Sequence, residues 1–364
     1  MRLAVLPSMV VAAFLSGCGG DKPTPVNPAS PPAELRGRGA TFVEPIMKFW
    51  TEKYADKTED AVRISYVGIG SGGGVNAMTN READFGCSDA PMNAKQLAAA
   101  AEKAGAVVHV PLVIGAVVPL YNVPGVDKPL AFTGPVLADI FLGKIANWND
   151  PKLKALNPGV ALPDLKLQPV YRDDPSGTTF IFADYLCKAS PEFRAEIGKP
   201  SNEPTWPKGV GTRQPKSDGV AGHVSRSVGA IGYVELTYAL DTKAQFGSVR
   251  NKAGKDILAD LDSITAAAAA TLGVKQTEEP FSLNELTYSL TDAAGEKSYP
   301  IAGMSYALLY QKQAGDKGKA VVEFLKWATS DGGQKMAKMR NFAPLPADLQ
   351  KQVADKLAAV EFAQ

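Results

Sequence analysis

Histidine, cysteine and unbalanced charge are all scarce in this sequence, and each shortage argues against a class of function. The 364 residues include two histidines and three cysteines, with no ligand spacing typical of a zinc centre, so no metal site is predicted. Lys and Arg number 39 against 38 Asp and Glu, which excludes the concentrated basic surface of a nucleic-acid-binding protein. The 45% hydrophobic and 21% charged residues are typical of a soluble protein long enough for two domains.

The first eighteen residues differ from the rest and indicate export. Arg2 precedes an apolar run over residues 3–15. This run is shorter than the roughly 20 residues of a membrane span and is typical of the core of a signal peptide. It ends in Leu15-Ser16-Gly17-Cys18, which resembles the lipobox of bacterial lipoproteins. We therefore expect residues 1–17 to be a cleaved signal peptide and Cys18 to be lipidated, with a plain secretory signal as the alternative.

Residues 18–34 predict a tether between the lipid and a globular body. Prolines at 23, 25, 28, 31 and 32 lie among small and polar residues, a composition that cannot pack a core. From Leu35 onward, β-rich runs alternate with helical patterns, and this alternation is the signature of an α/β protein.

Two long apolar runs predict how the body is divided. Residues 107–118 and 300–310 are nearly uncharged and are too short to span a bilayer, so they suit buried strands that cross between lobes. Because the runs lie far apart in the chain, the first and last segments should form one lobe and the middle the other. The predicted lobes are residues 35–113 with 302–364, and residues 114–301.

Three segments share one local design, in which a predicted strand ends in a glycine-containing turn with a hydroxyl residue and a helix then begins. They are GRGATF at 37–42, GIGSGGG at 68–74 and RDDPSGTT at 172–179. A helix start offers unpaired N–H groups and the positive end of the helix dipole, and glycine lets the backbone approach a ligand closely. Thr41, Ser71, Ser176 and Thr178 add hydroxyl donors, and Arg172 adds a cation. Together the segments predict a cage for a small oxyanion.

Other interpretations of these segments remain open on the residues alone. Each hydroxyl residue could simply be a helix N-cap. The second segment also satisfies the dinucleotide fingerprint G-x-G-x-x-G, with Asp89 about 20 residues on as a candidate ribose ligand. That match does not lie at the first strand unit, and an exported chain meets little nicotinamide cofactor. A secreted phosphatase would use Ser71 or Ser176 as a nucleophile, but it needs a base and usually a metal, and neither is visible.

The remaining cysteines and the histidines are expected to be structural. Cys87 and Cys187 lie in apolar surroundings and are predicted to be free thiols, with a disulfide as the alternative in an exported chain. His109, inside an apolar run, is predicted to be a hydrogen-bonded core residue, and His223 a partly exposed helix residue.

The order of several short strings resembles the phosphate-binding proteins of bacterial phosphate ABC transporters, in their lipoprotein form. The strings are GATF (39–42), GIGSGGG (68–74), DFGCSDAP (84–91), GKIANW (143–148), RDDPSGT (172–178) and GAIGYVE (229–235). The chain departs from that family at Pro175, where Gly is usual, and at Cys87, where a small residue such as Ala is usual. Residues 252–297 match least, and nothing functional is predicted there.

This resemblance implies a fold and a set of phosphate ligands. The fold is the two-lobed α/β fold of type II periplasmic binding proteins, in which each lobe is a mixed sheet flanked by helices and two crossover strands join the lobes. Asp174 stands where the family has an acid that orients the arginine. The implied phosphate ligands are Thr41 (hydroxyl and N–H), Phe42 (N–H), Ser71, Asp89, Arg172, Ser176, Gly177 (N–H) and Thr178.

The resemblance also implies a role. The protein would be a monomeric solute-binding protein, not an enzyme and without a cofactor, that delivers inorganic phosphate to an ABC permease with a cytoplasmic ATPase. It would be held in the periplasm or cell envelope by its lipid alone and would bind no nucleic acid. Another tetrahedral oxyanion such as sulfate is the alternative cargo, and Asp89 discriminates between them because only a protonated anion can donate a hydrogen bond to it.

Overall fold

The computed structural model describes residues 32–103 and 105–363, which fold as a mixed α/β structure. The strands are β1 Ala33–Gly39, β2 Val62–Gly68, β3 Phe85–Ser88, β4 Val107–Tyr121, β5 Ala131–Phe132, β6 Gln168–Arg172, β7 Thr212–Gln214, β8 Ala230–Glu235, β9 Gln245–Phe246, β10 Ser248–Arg250, β11 Asp256–Ile257, β12 Ala302–Tyr310, β13 Lys312–Ala314 and β14 Glu361–Ala363. The helices are α1 Glu44–Lys57, α2 Ser71–Thr79, α3 Ala94–Lys103, α4 Gly134–Phe141, α5 Pro151–Leu156, α6 Gly177–Ala189, α7 Pro191–Ile197, α8 Lys216–Arg226, α9 Leu236–Asp241, α10 Leu261–Thr271, α11 Gly315–Ala328, α12 Asp331–Met339 and α13 Ala347–Ala358.

A nine-stranded sheet runs through the body in the order β2-β1-β3-β12-β4-β8-β6-β7, with β9 beside β4. Strands β1, β2 and β3 are parallel, β12 and β8 are antiparallel to β4, and β6 is parallel to both β8 and β7. Because β1, β2 and β6 each lead into a helix, the three predicted strand–turn–helix segments all exist.

Strand β4 connects the two parts of this sheet. Residues 107–111 and 113–116 pair with β12, with a bulge at Leu112, and the last five residues, 117–121, pair with β8. Residues 108–121 are all buried, which explains why this stretch carries almost no charge. The predicted buried strand is therefore confirmed, and the second apolar run forms β12, which is also buried along nearly its whole length. The exact lobe boundaries, 35–113 with 302–364 and 114–301, stay a prediction.

The strand β1 begins at Ala33, where it pairs with Val62, so the body starts slightly earlier than the sequence predicts. Position 34 was expected to end the tether, but Glu34 already pairs with Arg63. The remaining predictions for the N-terminus, including Cys18, lie outside the described residues. Across residues 32–103 and 105–363, no helix combines the length and the apolar character that a bilayer crossing needs.

The alanine run at 266–270 is typical of an exposed helix. The helix exists as α10, but Ala267 and Ala268 are buried together with Ile264. The run is therefore amphipathic, with small residues on the face that packs closely against the body.

The cysteines and histidines behave largely as predicted. Cys87 and Cys187 are both free and buried. His223 is half-buried on α8. His109 is 2% exposed, and its Nε2 accepts a hydrogen bond from the Met92 N–H at 3.0 Å. Its Nδ1 has no hydrogen-bond partner, so this core histidine is only half satisfied; burial lowers its pKa to about 3 and keeps the ring neutral.

Candidate functional site

The three predicted glycine-containing segments meet at one place. A methyl group placed on Gly177 would lie 2.3 Å from Ser71 Oγ and 2.6 Å from Asp89 Oδ2. One placed on Gly70 would lie 2.3 Å from Asp174 Oδ2. No side chain can approach other atoms this closely. The second and third segments can therefore touch only because positions 70 and 177 are glycine.

Thr41 brings the first segment into the same place. It is 2% exposed, and its Oγ1 lies 2.8 Å from the Ser217 Oγ. The Tyr238 hydroxyl donates to the Thr41 carbonyl at 2.6 Å and fixes the backbone there. Helix α1 has Val43 as its N-cap residue, without a side-chain cap bond, so the Thr41 hydroxyl is not a helix cap. Phe42, whose N–H was predicted to bind the ligand, is fully buried next to it.

Ser71 and Asp89 form a hydrogen-bonded pair. The Asp89 N–H donates to Ser71 Oγ at 3.1 Å, and the Ser71 hydroxyl donates to Asp89 Oδ2 at 3.2 Å. Asp89 Oδ1 accepts from the Ser305 hydroxyl at 2.7 Å. Burial raises the pKa of Asp89 to about 7, although the hydrogen bonds from both serines and the charge of Arg172 lower it. Ser71 is the first residue of α2, whose N-cap is Gly70, so it does not cap the helix either.

Arg172 is held by a two-pronged ion pair. Its Nε and one terminal nitrogen donate to the two Asp174 oxygens at 2.9 and 2.5 Å, and the Arg172 side chain is only 1% exposed. Its other terminal nitrogen donates to Ser217 Oγ at 3.3 Å. Burial by itself would raise the pKa of Asp174, but the hydrogen bonds and charge of Arg172 outweigh it and lower the pKa overall. The predicted orienting role of Asp174 therefore has the required geometry.

The start of α6 supplies the remaining donors. Ser176 is its N-cap, and its Oγ accepts from the Thr179 N–H at 3.1 Å, which leaves the hydroxyl hydrogen free to donate. Gly177 follows as the first helical residue, whose N–H has no partner within the helix. The Thr178 hydroxyl is buried without a hydrogen-bond partner. Buried polar groups are nearly always paired, so this hydroxyl indicates a ligand position.

Pro175, one of the two departures from the family pattern, connects the second and third segments. Its carbonyl accepts from the Gly72 N–H at 3.0 Å, and a methyl group on Gly72 would lie 2.4 Å from the Pro175 Cβ. The proline precedes the N-cap Ser176 and so lies just before the helix rather than in its first turn. Since no N–H is needed at that position, proline is compatible with the site.

The structure brings together every residue that the sequence singled out as a phosphate ligand, together with Asp174. Their role as ligands stays a prediction. Sequence reasoning missed Ser217 and Ser305, which contact Thr41, Arg172 and Asp89 directly. Ser305 carried a weak signal, since it is a hydroxyl residue inside an apolar strand. Ser217 carried none.

Comparison with known proteins agrees with this architecture. Residues 26–332 match the model of the PBP superfamily domain. The phosphate-binding protein PstS of Xylella fastidiosa is 38% identical over 88% of this chain and 84% of its own length. The phosphate-binding protein PstS of Pasteurella multocida is 36% identical over 86% of this chain and 87% of its own length. The crystal structure of a phosphate binding protein from Stenotrophomonas maltophilia aligns with a TM-score of 0.66 at 19% identity, over 89% of this chain and 93% of that one.

The family match spans residues 26–332, which include all three segments of the cage. The structural similarity confirms the predicted fold class, a two-lobed α/β periplasmic-binding-protein fold. The two PstS proteins are 38% and 36% identical to this chain over more than four-fifths of both sequences. Such identity indicates membership of one family and not only a shared fold. This chain therefore belongs to the PstS family of phosphate-binding proteins, within the PBP superfamily.

Proposed function

We propose that this protein captures inorganic phosphate between its two lobes and delivers it to an ABC permease driven by an ATPase. The observation that carries the proposal is a buried acid, Asp89, inside a cage of hydrogen-bond donors around Arg172. The donors favour an oxyanion, and the acid restricts the choice to an oxyanion that carries a proton. The names of the similar PstS proteins support the same cargo.

The cage binds phosphate with hydrogen bonds alone. The ligands are the Thr41 hydroxyl and N–H, the Phe42 N–H, the Ser71 hydroxyl, the Asp89 carboxylate, the Arg172 guanidinium, the Ser176 hydroxyl, the Gly177 N–H and the Thr178 hydroxyl. When phosphate arrives, the Ser71 hydroxyl turns from Asp89 Oδ2 to a phosphate oxygen, and Oδ2 accepts the phosphate proton instead. Donors on both lobes then hold one anion, so phosphate favours the closed form by its differential affinity.

Asp89 selects phosphate over sulfate. Near neutral pH, inorganic phosphate retains at least one proton that can be donated to a carboxylate, whereas sulfate has none. Above the Asp89 pKa of about 7, where the carboxyl group is ionised, sulfate would place two unprotonated, negative oxygens in contact inside a dry cleft. A buried polar partner left unpaired can reject a near-isostere by about 10⁴-fold. We expect a preference for phosphate of at least ~1000-fold, or about 4 kcal/mol.

Competition between the two anions tests this function. Labelled phosphate bound to the wild-type protein is displaced with unlabelled phosphate or sulfate, and the copurifying anion is identified after denaturation. Asp89→Asn should lower the phosphate-to-sulfate ratio, because its amide can turn its NH₂ toward a bare oxygen. Asp84→Asn is the matched control, since Asp84 accepts from the Arg36 N–H outside the cage. Comparable wild-type affinities for phosphate and sulfate would refute phosphate as the cargo, and an unchanged ratio in Asp89→Asn would remove Asp89 from this role.

The same site supports binding rather than catalysis. A phosphatase that used Ser71 or Ser176 needs a base, and Asp89 lies 3.2 Å from Ser71 Oγ; we propose that this carboxylate accepts the proton of bound phosphate instead of activating the serine. The protein would act without a cofactor and hydrolyse nothing. Incubation with nitrophenyl phosphate should release no nitrophenol above the background of a buffer control.

The sequence supports a location outside the cytoplasm. The signal-like run over residues 3–15 and Cys18 favour a lipoprotein of the periplasm or cell envelope, with the lipid as its only membrane contact. The Pro-rich segment then tethers a monomeric body near the permease. The near balance of 39 basic against 38 acidic residues favours a small anion held by local dipoles, without a nucleic-acid partner.

A further inference from the structure

Ser217 lies at the junction of the first and third segments without belonging to either. It is the second residue of α8 and is fully buried. Its Oγ is 2.8 Å from Thr41 Oγ1 and 3.3 Å from a terminal nitrogen of Arg172. Thr41 lies between β1 and α1, whereas Arg172 ends β6 in the middle part of the chain. The Ser217 hydroxyl therefore connects a predicted ligand of the first segment, Thr41, with one of the third segment, Arg172.

The fold fixes this hydroxyl in place. Strand β7 pairs in parallel with β6, with Gln214 opposite Arg172, and α8 begins two residues later. Lys216 has a left-handed backbone, with φ of 60°, and its N–H donates to Asp174 Oδ1 at 2.8 Å. A non-glycine residue persists in that conformation only where surrounding contacts require it. The acid that holds Arg172 thus also holds the start of α8 and sets the position of Ser217.

Counting hydrogens gives the direction of the hydrogen bonds. Arg172 has only donors, so Ser217 Oγ must accept from it. The Ser217 and Thr41 hydroxyls then have two hydrogens between them, and one is used in their mutual bond. If Ser217 donates to Thr41, the Thr41 hydrogen is left for a ligand oxygen. If Thr41 donates to Ser217, Thr41 has no hydrogen to offer the ligand.

We propose that Ser217 is a positioning residue of the phosphate site, which accepts from Arg172 and donates to Thr41 so that the Thr41 hydroxyl is directed at phosphate. The inference rests on the proposed function, in which Thr41 binds phosphate. A chain from a guanidinium through two hydroxyls to an anion polarises each hydrogen bond in the same sense, which strengthens the last one. Ser217 thereby transmits part of the polarising effect of the Arg172 charge to the hydrogen bond that Thr41 donates to the anion.

A double-mutant cycle tests this role, with phosphate affinity measured by calorimetry. Ser217→Ala should weaken binding by about 10-fold, the typical effect of disrupting a buried hydrogen bond near a charge. In a Thr41→Val background the same change should cost less than about twofold, because the end of the chain is already gone. Ser225→Ala is the matched control on α8, since the Ser225 hydroxyl donates to the Ala221 carbonyl of its own helix. It should bind phosphate like the wild type.

Several outcomes would overturn the proposal. A loss below about twofold in Ser217→Ala would do so, as would an equal loss with and without the Thr41 hydroxyl. Ser217→Cys, with a weaker donor of similar size, covers the case in which the alanine variant does not fold. This variant should bind phosphate with intermediate affinity. Wild-type affinity would contradict the proposed chain of hydrogen bonds. Wild-type protein that binds no phosphate would refute the proposed function itself, whereas tight wild-type binding with an unaffected Ser217→Ala would refute only the role of Ser217.

Discussion

Arg172 brings a full positive charge into a site that is otherwise built from neutral donors. Its side chain is 1% exposed, so bound anion and guanidinium would meet with little water to screen them. The Nε and one terminal nitrogen of Arg172 donate to Asp174, and the other terminal nitrogen is directed into the cage, where it donates to Ser217. Because of its charge and its fixed orientation, we expect this residue to be the strongest single contributor to anion binding.

Replacement of Arg172 should therefore be costly. Arg172→Ala is expected to weaken phosphate binding by about 2–5 kcal/mol, which is tens to thousands of fold. Arg172→Lys should rescue only part of the loss because lysine lacks the fork. Arg250→Ala is the control, since Arg250 forms an ion pair with Asp256 that is more than one-third exposed. Calorimetry decides the matter, and a change below about threefold in Arg172→Ala would place the site elsewhere.

Asp89 should make the stability of the ligand-free protein depend on pH. Its pKa is about 7 in the folded protein, against an ordinary value of 3.8, because burial disfavours the charged carboxylate. The folded state thus binds this proton more tightly than the unfolded state. The stabilisation is fully present below about pH 4 and is lost as the pH rises through 7.

The comparison with Asp89→Asn isolates this effect. Between about pH 4.5 and pH 8, the wild-type free energy of unfolding should fall by about 2–4 kcal/mol more than that of the variant. Urea unfolding at each pH, in phosphate-free buffer, measures both. Parallel pH profiles for the two proteins would contradict a raised Asp89 pKa.

The sequence predicted the residues that lie on local motifs and missed those that reach the site from elsewhere. Thr41, Ser71 and Ser176 follow a strand and precede a helix, so their backbone geometry is readable from neighbouring residues. Ser217 lies 176 positions after Thr41 in the chain, and Ser305 lies 216 positions after Asp89. No local pattern encodes such a contact, because it depends on how the sheet is ordered.

The cage is formed where three helices begin. How closely these helix starts approach one another depends on how the whole helices pack. Helix α6 begins at Gly177, where a methyl group would lie 2.3 Å from Ser71 Oγ at the start of α2. The two helix starts can therefore lie face to face only while position 177 has no side chain. The positive ends of the α2 and α6 dipoles therefore lie close together.

Gly177→Ala should separate these helix starts. Overpacking of a buried contact costs about 1–3 kcal/mol, so we expect phosphate affinity to fall by roughly 10-fold or more. Gly219→Ala on α8 is the matched control, since its nearest neighbour, Pro215 Cδ, is 3.4 Å away from the added methyl group. It should bind normally and be slightly more stable, as alanine favours a helix. Normal binding by Gly177→Ala, measured by calorimetry, would show that the two helix starts are not in contact in the complex.

Among helices and strands, the sequence predicts best those that have strong hydrophobic periodicity or are buried along their whole length. The apolar stretch that becomes β4 is recognisable from the sequence because both of its faces are covered. The order of strands in the sheet is not, since β12 lies between β3 and β4 although it follows them by nearly 200 residues. Sheet order reflects non-local pairing, which no window of neighbouring residues contains.

For the whole molecule, the lipid anchor should determine location without affecting binding. Cys18→Ala should leave an uncleaved or soluble form, because the lipidated residue is lost, and that form should retain wild-type affinity because every predicted ligand lies at or after Thr41. Fractionation of the cell envelope and mass spectrometry of the intact protein test the prediction. Wild-type protein without lipid, recovered from the aqueous phase of the envelope, would show that the Leu15-Ser16-Gly17-Cys18 string is not a lipobox.

The strand shared by both parts of the sheet has a consequence for how the chain acquires its structure during synthesis. Val110 of β4 pairs with Ala307 of β12, so almost two hundred residues must be made before that pair can form. At about 5–20 residues per second, roughly 10–40 s pass in which the most apolar strand of the protein has no partner on its β12 edge. The nascent chain therefore presents β4, its longest described strand, without that partner until residues 302–310 have been made, and its folding depends on protection until then.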